Sequence, residues 1–559
     1  MTQKKFKNVF LLKLPYCAHP NSLRGDDSFR AKMTFRPLPS LALAVLCAFL
    51  EKYKTYDYNL KAVDLNIEAY TEPGIPVDIS VYPSLLNEVI KNNDYDVLAL
   101  SASFVFNVKW VEDAVKLSKK YHPDAKIIIG GGYPTLFLER CLKRHDIDDA
   151  IIGEGEATFL HILNRYNNHQ DVEFDKKFLS GPYASKIKEG QIDKIKGEHR
   201  FIDLADLPMP AWDYLNIDKY FEKSGDTTLP IEGSRGCPYR CSFCSTFLAW
   251  GNRVRYKPVD NLIKEISDLT KRHPGLKNLL FVDDNLSFSK DIFKNFLVRY
   301  INMNSRLKID FINFSVKHLD EEIIKLLKQA GLSFFVIAVE TGSPVMQKRI
   351  NKFLTFDKVR EVVKILKFHN LKVGISWMIG FPGETMEQIN QTLNFIRELK
   401  AFNNQVFAVL PYPGTQLFRD AEAANLLLFS DNNFDKFDYR QGGYVKSDQW
   451  NYEQLQNIIY DINIETNFLN NPYLEDADKM EFFLKHLEGL LLSLPDHVVA
   501  HLVAGYIYKQ KNYLQECEKH YNYAKELFKN SKLDKTFRKY LLWDNPVIKD
   551  FNQFVNFNP

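Results

Sequence analysis

An alternation of strand-like and helix-like segments, run through twice and then abandoned, most constrains what this chain can fold into. In the first 165 residues, short apolar runs at Asn8–Leu12, Tyr58–Leu65, Asp96–Ala102, Ala125–Ile129 and Asp149–Ile152 read as strands. Helical patterns at Pro39–Lys52, Leu85–Lys91, Val108–Tyr121 and Leu136–Arg144 separate them. Strands alternating with helices imply a parallel sheet covered on both faces. Ligands of such sheets sit at the carboxyl ends of the strands. Gly130-Gly131-Gly132 and the turn Gly153-Glu154-Gly155-Glu156 fall there. Residues Asn167 to Thr228 are polar, lysine-rich and poorly periodic, and read as a linker that packs partly on its neighbours. The alternation resumes at Leu229–Gly233, Asn278–Val282, Asp310–Ser315, Phe334–Glu340, Lys372–Ile379 and Gln405–Leu410, with five helices between these strands. Six strands so spaced predict a β/α barrel or an open portion of one, its chemistry at the carboxyl ends of the strands. Beyond about Gln441 only helical patterns remain.

The chain has 559 residues, enough for about three or four domains that each bury a core. It is 45% apolar and 26% charged, which argues against wholesale disorder. The net charge of +3 argues against a protein that works by coating phosphate backbone. No run approaches the roughly 18 apolar residues of a membrane helix. The apolar stretch after the first lysines is too short for a secretory signal, and a cytoplasmic protein is expected.

Seven cysteines, an odd number, do not suggest a disulfide framework. Cys17, Cys47, Cys141 and Cys517 are scattered, whereas Cys237, Cys241 and Cys244 lie within eight residues. These three follow the first strand of the second alternation in the run Ile231-Glu-Gly-Ser-Arg-Gly-Cys-Pro-Tyr-Arg-Cys-Ser-Phe-Cys244. Structural zinc usually takes four ligands, often from two Cys-x2-Cys pairs, and no second pair occurs. Three thiolates can instead hold three irons of a cubane cluster and leave the fourth iron open to a substrate or cofactor.

At this point the sequence resembles the radical SAM superfamily. Phe243 is the usual aromatic before the third cysteine, and further segments fall at strand ends: Phe281-Val-Asp283-Asp284-Asn285, Val339-Glu340-Thr-Gly-Ser-Pro344, Trp377-Met-Ile379-Gly380-Phe-Pro-Gly383-Glu384 and Pro411-Tyr-Pro413-Gly414-Thr415. The resemblance implies a [4Fe-4S] cluster on Cys237, Cys241 and Cys244 whose free iron binds S-adenosyl-L-methionine. It implies Glu340 on the ribose, Asp283 or Asp284 facing the methionine ammonium or the substrate, and Ile379, Gly380 and Pro413 around adenine. The first half narrows the family. Arg36-Pro-Leu-Pro-Ser40, Val63-Asp64-Leu65-Asn66, Ser101-Ala-Ser103, Gly130-Gly131-Gly132-Tyr133-Pro134-Thr135 and Gly153-Glu154-Gly155-Glu156 resemble the cobalamin-binding domain of cobalamin-dependent radical SAM enzymes. Glycines let backbone approach a flat macrocycle or its phosphate-bearing tail. The chain has no Asp-x-His, and its nearest analogue carries Asn66. Cobalamin is therefore expected to bind without a histidine lower ligand, a weak axial donor favouring lower-coordinate cobalt.

The fold so implied is α/β: an N-terminal Rossmann-like parallel-sheet cobalamin domain over 1–166, a linker over 167–228, a partial β/α (TIM-like) radical SAM barrel over 229–425, and a C-terminal all-α region over 426–559. The activity implied is methylation of an unactivated carbon of a peptide or small natural product. A 5′-deoxyadenosyl radical would take the hydrogen, and methylcobalamin, recharged by a second S-adenosyl-L-methionine, would supply the methyl group. The alternative within the family is cyclisation or oxidation, as in the anaerobic porphyrin-ester cyclase. A cobalamin-responsive regulator would predict decayed cysteines, and all three stand. An external electron donor of flavodoxin or ferredoxin type is implied. The basic stretches Lys186–Lys196 and Arg253–Lys257 read as solvated faces rather than a nucleic-acid surface. The tyrosines of the C-terminal helices, such as Tyr506, Tyr508 and Tyr521, read as core, with substrate recognition as the alternative. The pair His497–Gln510 and Tyr513–Lys529 loosely matches tetratricopeptide spacing, but one such unit makes no solenoid.

Overall fold

β1 (Asn8–Lys13) is continuously apolar up to its last residue because it runs through the middle of a sheet covered on both faces. That sheet belongs to a computed structural model that describes residues 6–17, 19–20, 32–33, 37–72, 77–169, 183–185, 201–312, 314–428, 444–529 and 537–555. Around β1 lie β2 (Asn59–Asp64), β3 (Val97–Ser101), β4 (Lys126–Gly130), β5 (Asp149–Ile151) and β6 (Tyr183–Ser185), in the order β2-β1-β3-β4-β5-β6. The first five strands are parallel. Strand order reverses between β1 and β3, which opens a crevice at their carboxyl ends.

The flanking helices follow the expected pattern. In α1 (Leu41–Tyr53) the Ser40 hydroxyl accepts the Leu43 N–H and starts the helix, which then buries Leu43, Val45, Phe49 and Leu50. α2 (Tyr82–Lys91) buries Leu86 and Ile90, α3 (Val108–Tyr121) buries Trp110, and α4 (Leu138–Arg144) and α5 (Glu156–Tyr166) complete the layers.

Part of the expected linker is structural. β6 pairs antiparallel with β5, and its Ser185 hydroxyl donates to Asp149. Residues 201–228 contain a helix at Ile217–Ser224, whose Lys219 Nζ lies 2.6 Å from Glu68. The polar composition hid these elements, since each buries only a few side chains.

The six strands of the second alternation all form, as two three-stranded parallel sheets. One holds β7 (Thr228–Ile231), β8 (Asn278–Phe281) and β9 (Lys308–Phe311), separated by α6 (Val259–Arg272) and α7 (Lys290–Asn302). α8 (Glu321–Gln329) leads on to the other, which holds β10 (Phe334–Glu340), β11 (Lys372–Ile379) and β12 (Asn403–Ala408), separated by α9 (Phe356–Phe368) and α10 (Met386–Leu399). α11 (Gln416–Ala423) follows. The compact units do not follow the boundaries at 228 and 425. The first comprises 1–332, 350–352 and 410–445, and the second 333–349, 353–409 and 446–559.

In the second unit the C-terminal helices finish the sheet. α12 (Tyr452–Ile464), continued by a wider turn at Glu465–Leu469, lies along edge strand β12. Asn463, Asn467 and Asn471 recur every four residues, and their side chains meet the backbone of Val406, Asn404 and Phe402, which recur every two. Helix and strand periods match at this interval, so one helix face satisfies an otherwise open edge. α13 (Ala477–Ser493), α14 (Val498–Gln510), α15 (Leu514–Leu527) and α16 (Pro546–Val555) supply Phe483, Leu487, Val503, Tyr521 and Phe551 to one core that also includes Phe402. No helix among the described residues is long and apolar enough to cross a membrane.

Candidate active site

The first unit contains a cavity of about 650 Å³ at the carboxyl ends of β3, β4 and β7. Apolar walls come from Leu41 and Val45 of α1, Phe104, Phe159, Trp250 and Tyr412. Of the residues expected from sequence, it brings together Ser101, Ser103, Gly131, Gly132, Thr135, Gly155, Asp283 and Asp284. Residues of both sheets of the first unit therefore face one space.

The glycines divide into two kinds. Gly131 has φ +104°, and a Cβ there would meet the Ala102 carbonyl oxygen at 2.6 Å; one on Gly132 would meet that of Ser103 at 2.3 Å. These two are demanded by packing within the protein rather than by a ligand alone. Gly130 and Gly155 have nothing within 4 Å of such a Cβ, so a cofactor can approach there. Gly130 was not among the expected site residues, although it stands in the same triplet. The Thr135 hydroxyl donates to Gly131 O and accepts from Gly153 N–H, joining the two glycine turns.

Four expected residues of the first sheet serve the fold instead. Ser40 is the α1 cap. Asn66 is fully buried; it accepts the Tyr16 N–H at 2.6 Å and donates to the Leu14 carbonyl. It holds the segment after β1 and is not among the residues lining the cavity. Tyr133 is buried with its hydroxyl 3.2 Å from His145 Nε2, and Pro134 is buried beside it. Lys13 was overlooked. It ends β1, is almost wholly buried, and donates to the hydroxyls of Ser101 and Ser103. Burial pulls its pKa down to about 8, against the attraction of Asp64. The signal was there: a charged residue closing an apolar strand.

Glu154 lies in a buried ion network. Its carboxylate takes Arg235 at 3.2 Å and Arg255 at 2.5 Å, and Arg235 also reaches Glu156 at 2.8 Å and Glu232 at 2.7 Å. The Arg235 guanidinium stands 5.1 Å from the Trp250 ring. Burial pushes Glu232 up, but Arg235, Lys257 and Arg255 outweigh it and hold the group below its usual range. Arg255 and Lys257, from the second basic stretch, are thus spent on internal pairs, Lys257 on Glu265. The first basic stretch lies outside the described residues.

The cysteines occupy the loop after β7. All three are free and half-buried. The Asn285 amide donates to Cys237 Sγ at 3.6 Å, while Asn285 Oδ1 and Ser242 Oγ are buried with no hydrogen-bond partner. Burial raises the Cys237 thiol, opposed by hydrogen bonds from the Tyr239 backbone and Asn285. Phe243 is half-buried in the same loop. Among the described residues, no three His, Cys, Asp or Glu side chains converge on a single ion. A cubane makes a different demand, since it gives each cysteine an iron of its own. A thiolate donor set on a strand-end loop, with unspent polar atoms beside it, fits such a cluster.

Asp283 and Asp284 now separate. Asp283 accepts the Gly233 N–H at 3.0 Å and the Ser234 hydroxyl at 2.6 Å, pinning the base of the cysteine loop. Burial raises its pKa to about 7 despite those donors. Asp284 accepts from Thr246, and burial raises it too. Pro413 is buried in the same unit.

Glu340, Ile379 and Gly380 stand at the carboxyl ends of β10 and β11 in the second unit. Glu340 is buried with φ +74°, after a shift in the β10–β11 register. A non-glycine residue held in that region stores roughly 1–3 kcal/mol of strain, a mark of functional placement. The Gly380 N–H donates to Glu384 at 2.6 Å, and the Ile379 carbonyl accepts from Val409. The expected adenine contact cannot use that N–H, because the turn uses it.

Family models match residues 36–163 as a B12 binding domain and residues 231–396 as the Radical SAM superfamily. The chain belongs to the cobalamin-dependent radical SAM enzymes. An uncharacterized methyltransferase of Pyrococcus horikoshii is 28% identical over 70% of this chain and 80% of that one. The cytidylyl-2-hydroxyethylphosphonate methyltransferase of Streptomyces wedmorensis is 24% identical over 76% and 86%. The anaerobic magnesium-protoporphyrin IX monomethyl ester cyclase of Rubrivivax gelatinosus is 23% identical over 68% of each. Two solved structures share the fold of this cobalamin-dependent radical SAM enzyme. OxsB, with aqua-cobalamin and S-adenosylmethionine bound, has a TM-score of 0.64 at 15% identity over 98% of this chain and 84% of that one. The methyltransferase TsrM of Kitasatospora setae, with cobalamin and a [4Fe-4S] cluster bound, has a TM-score of 0.58 at 16% identity over 76% and 79%.

Proposed function

We propose that this enzyme methylates an unactivated carbon of a small molecule or peptide. The observation that carries the reading is the single cavity onto which the glycine turns of the first sheet and Asp283 and Asp284 of the second both open. Residues 1–166 would hold cobalamin and residues 229–425 the cluster and S-adenosyl-L-methionine, with 426–559 completing the fold around them. When bound, these groups supply a carbon-centred radical and a methyl group carried on cobalt.

The chain's own residues would do the rest. Cys237, Cys241 and Cys244 hold the cluster, with Asn285 steadying Cys237. Asp283 keeps the cysteine loop in place, and Asp284 faces the cavity to take the methionine ammonium or orient the substrate. Glu340 takes the ribose hydroxyls, Ile379 and Pro413 pack against adenine, and Gly130 and Gly155 let cobalamin lie against backbone. Leu41, Val45, Phe104, Phe159 and Trp250 keep water away from the reacting carbon. Reducing power would come from a soluble donor of flavodoxin or ferredoxin type in the cytoplasm.

The test is anaerobic reconstitution with iron, sulfide and cobalamin, followed by S-adenosyl-L-methionine and reductant, with both nucleoside products read by mass spectrometry. Methylation is expected to give 5′-deoxyadenosine and S-adenosylhomocysteine together. Deoxyadenosine alone, with substrate supplied and losing hydrogen, would replace methylation by the cyclase-type reaction. Cys237→Ala is expected to abolish both products; retained cleavage would overturn the cluster assignment.

A further inference from the structure

The cysteine loop has an outer face that the proposed reaction does not use. Tyr239 stands between Cys237 and Cys241, and its hydroxyl meets His318 Nε2 at 2.8 Å. The two rings are stacked at 5.8 Å with 16° between their planes. Phe288 meets both edge-on, at 6.2 and 5.5 Å, and is 41% exposed. Around this aromatic centre stand cations. Lys317 Nζ lies 4.6 Å from the Tyr239 ring, and Arg240 is exposed. The segment 350–352 is strapped to the loop, Ser242 N–H donating to the Ile350 carbonyl and the Asn351 amide to the Arg240 carbonyl, which brings Lys352 to the same face. Burial lowers the Lys317 pKa, Cys241 opposes this and Lys352 adds to it, while no carboxylate contributes. The acids that follow in sequence, Asp320 and Glu322, are matched by Lys290 and Lys294.

We propose that Tyr239, Arg240, Phe288, Lys317, His318 and Lys352 form the docking surface for an acidic flavodoxin, with the electron entering at Cys241. The inference rests on the cluster assignment to the three cysteines. An aromatic centre with a charged rim is the anatomy of a transient interface, and its single sign selects an acidic partner and speeds encounter. One electron leaves the reduced flavin and one arrives at the cluster; no bond forms or breaks.

The experiment titrates a fluorescently labelled acidic flavodoxin with the full-length protein, with and without its cluster, at low and high salt. The double variant Lys317→Glu/Lys352→Glu is expected to bind at least about tenfold more weakly, and wild-type binding should weaken with salt. In parallel, 5′-deoxyadenosine formation driven by flavodoxin should fall by a similar factor, while formation driven by dithionite stays at the wild-type rate. Lys364→Glu, on α9, should change neither. Unaltered flavodoxin binding by the double variant, or equal loss with both reductants, would overturn the surface. Failure of dithionite to drive cleavage in the wild type would instead strike the cluster reading, with the binding titration still judging the surface.

Discussion

At the scale of single residues, glycines and buried carboxyls make opposite demands that experiment can separate. A Cβ at Gly131 collides with the Ala102 carbonyl at a positive φ, so Gly131→Ala should cost about 1–3 kcal/mol whether or not cobalamin is present. Gly155 faces open space with ordinary helical backbone, so Gly155→Leu should leave stability within about 0.5 kcal/mol yet weaken cobalamin retention about tenfold by filling its place. Urea midpoints and the visible absorbance of bound cobalamin read the two effects. Glu384 gives a pH signature. Burial raises its pKa to about 7, outweighing the N–H donors of Gly380 and Phe381, and its Oε1 has no partner. A carboxyl raised in the folded state binds a proton more tightly there than in the unfolded chain. Stability should therefore fall as pH rises from about 4.5 to about 7 and level off above. Glu384→Gln should remove that slope, so the variant gains on the wild type by up to a few kcal/mol between pH 5 and pH 8.

At the scale of elements, periodicity in the sequence exposed nearly every strand and helix, because each buries a regular stripe. It failed where an element buries little. β6 has three residues in a polar stretch, and the helix at Ile217–Ser224 is short. Site residues were legible where chemistry needs a rare spacing, as with Cys237, Cys241 and Cys244. They were not legible where a role depends on what the fold brings near. Asn66 resembled a ligand position and proved to be a buried brace, whereas Arg235 and Lys13 gained their roles only from partners distant in sequence. The asparagine ladder is a further case, since nothing in α12 alone says that a strand edge lies beside it. Asn467 both accepts the Asn404 N–H at 2.6 Å and donates to the Asn404 carbonyl at 2.7 Å. Asn467→Ala strands both backbone groups and should cost about 1–3 kcal/mol, whereas Tyr452→Ala, on the exposed start of the same helix, should cost little. By the same reasoning, removing residues after 445 should leave β12 unpaired on one side and give insoluble protein. Soluble protein that still cleaves S-adenosyl-L-methionine would show the helices to be dispensable to the sheet.

At the scale of the whole molecule, the chain passes between its two units several times, so function cannot be divided by cutting it at one point. Within the first unit the glycine turn before α5 and the cysteine loop after β7 are joined by one buried cation. Arg235 holds Glu154, Glu156 and Glu232 at once, and only Arg255 shares the load. Three carboxylates against two guanidiniums leave the network already short of positive charge. Arg235→Ala would strand buried carboxylates, which costs about 3–5 kcal/mol. Arg235→Lys should recover only part of this, because an ammonium cannot fork toward three acids. Arg272→Ala is the control: its pair with Asp213 is exposed on both sides and should contribute under about 1 kcal/mol. Because the same guanidinium stands over Trp250 and lines the cavity, its loss should also lower cobalamin retention and iron content together in reconstituted protein. Metal analysis and cobalamin absorbance on one sample check this. Loss of cobalamin with full iron would mean that the glycine turn and the cysteine loop are held independently.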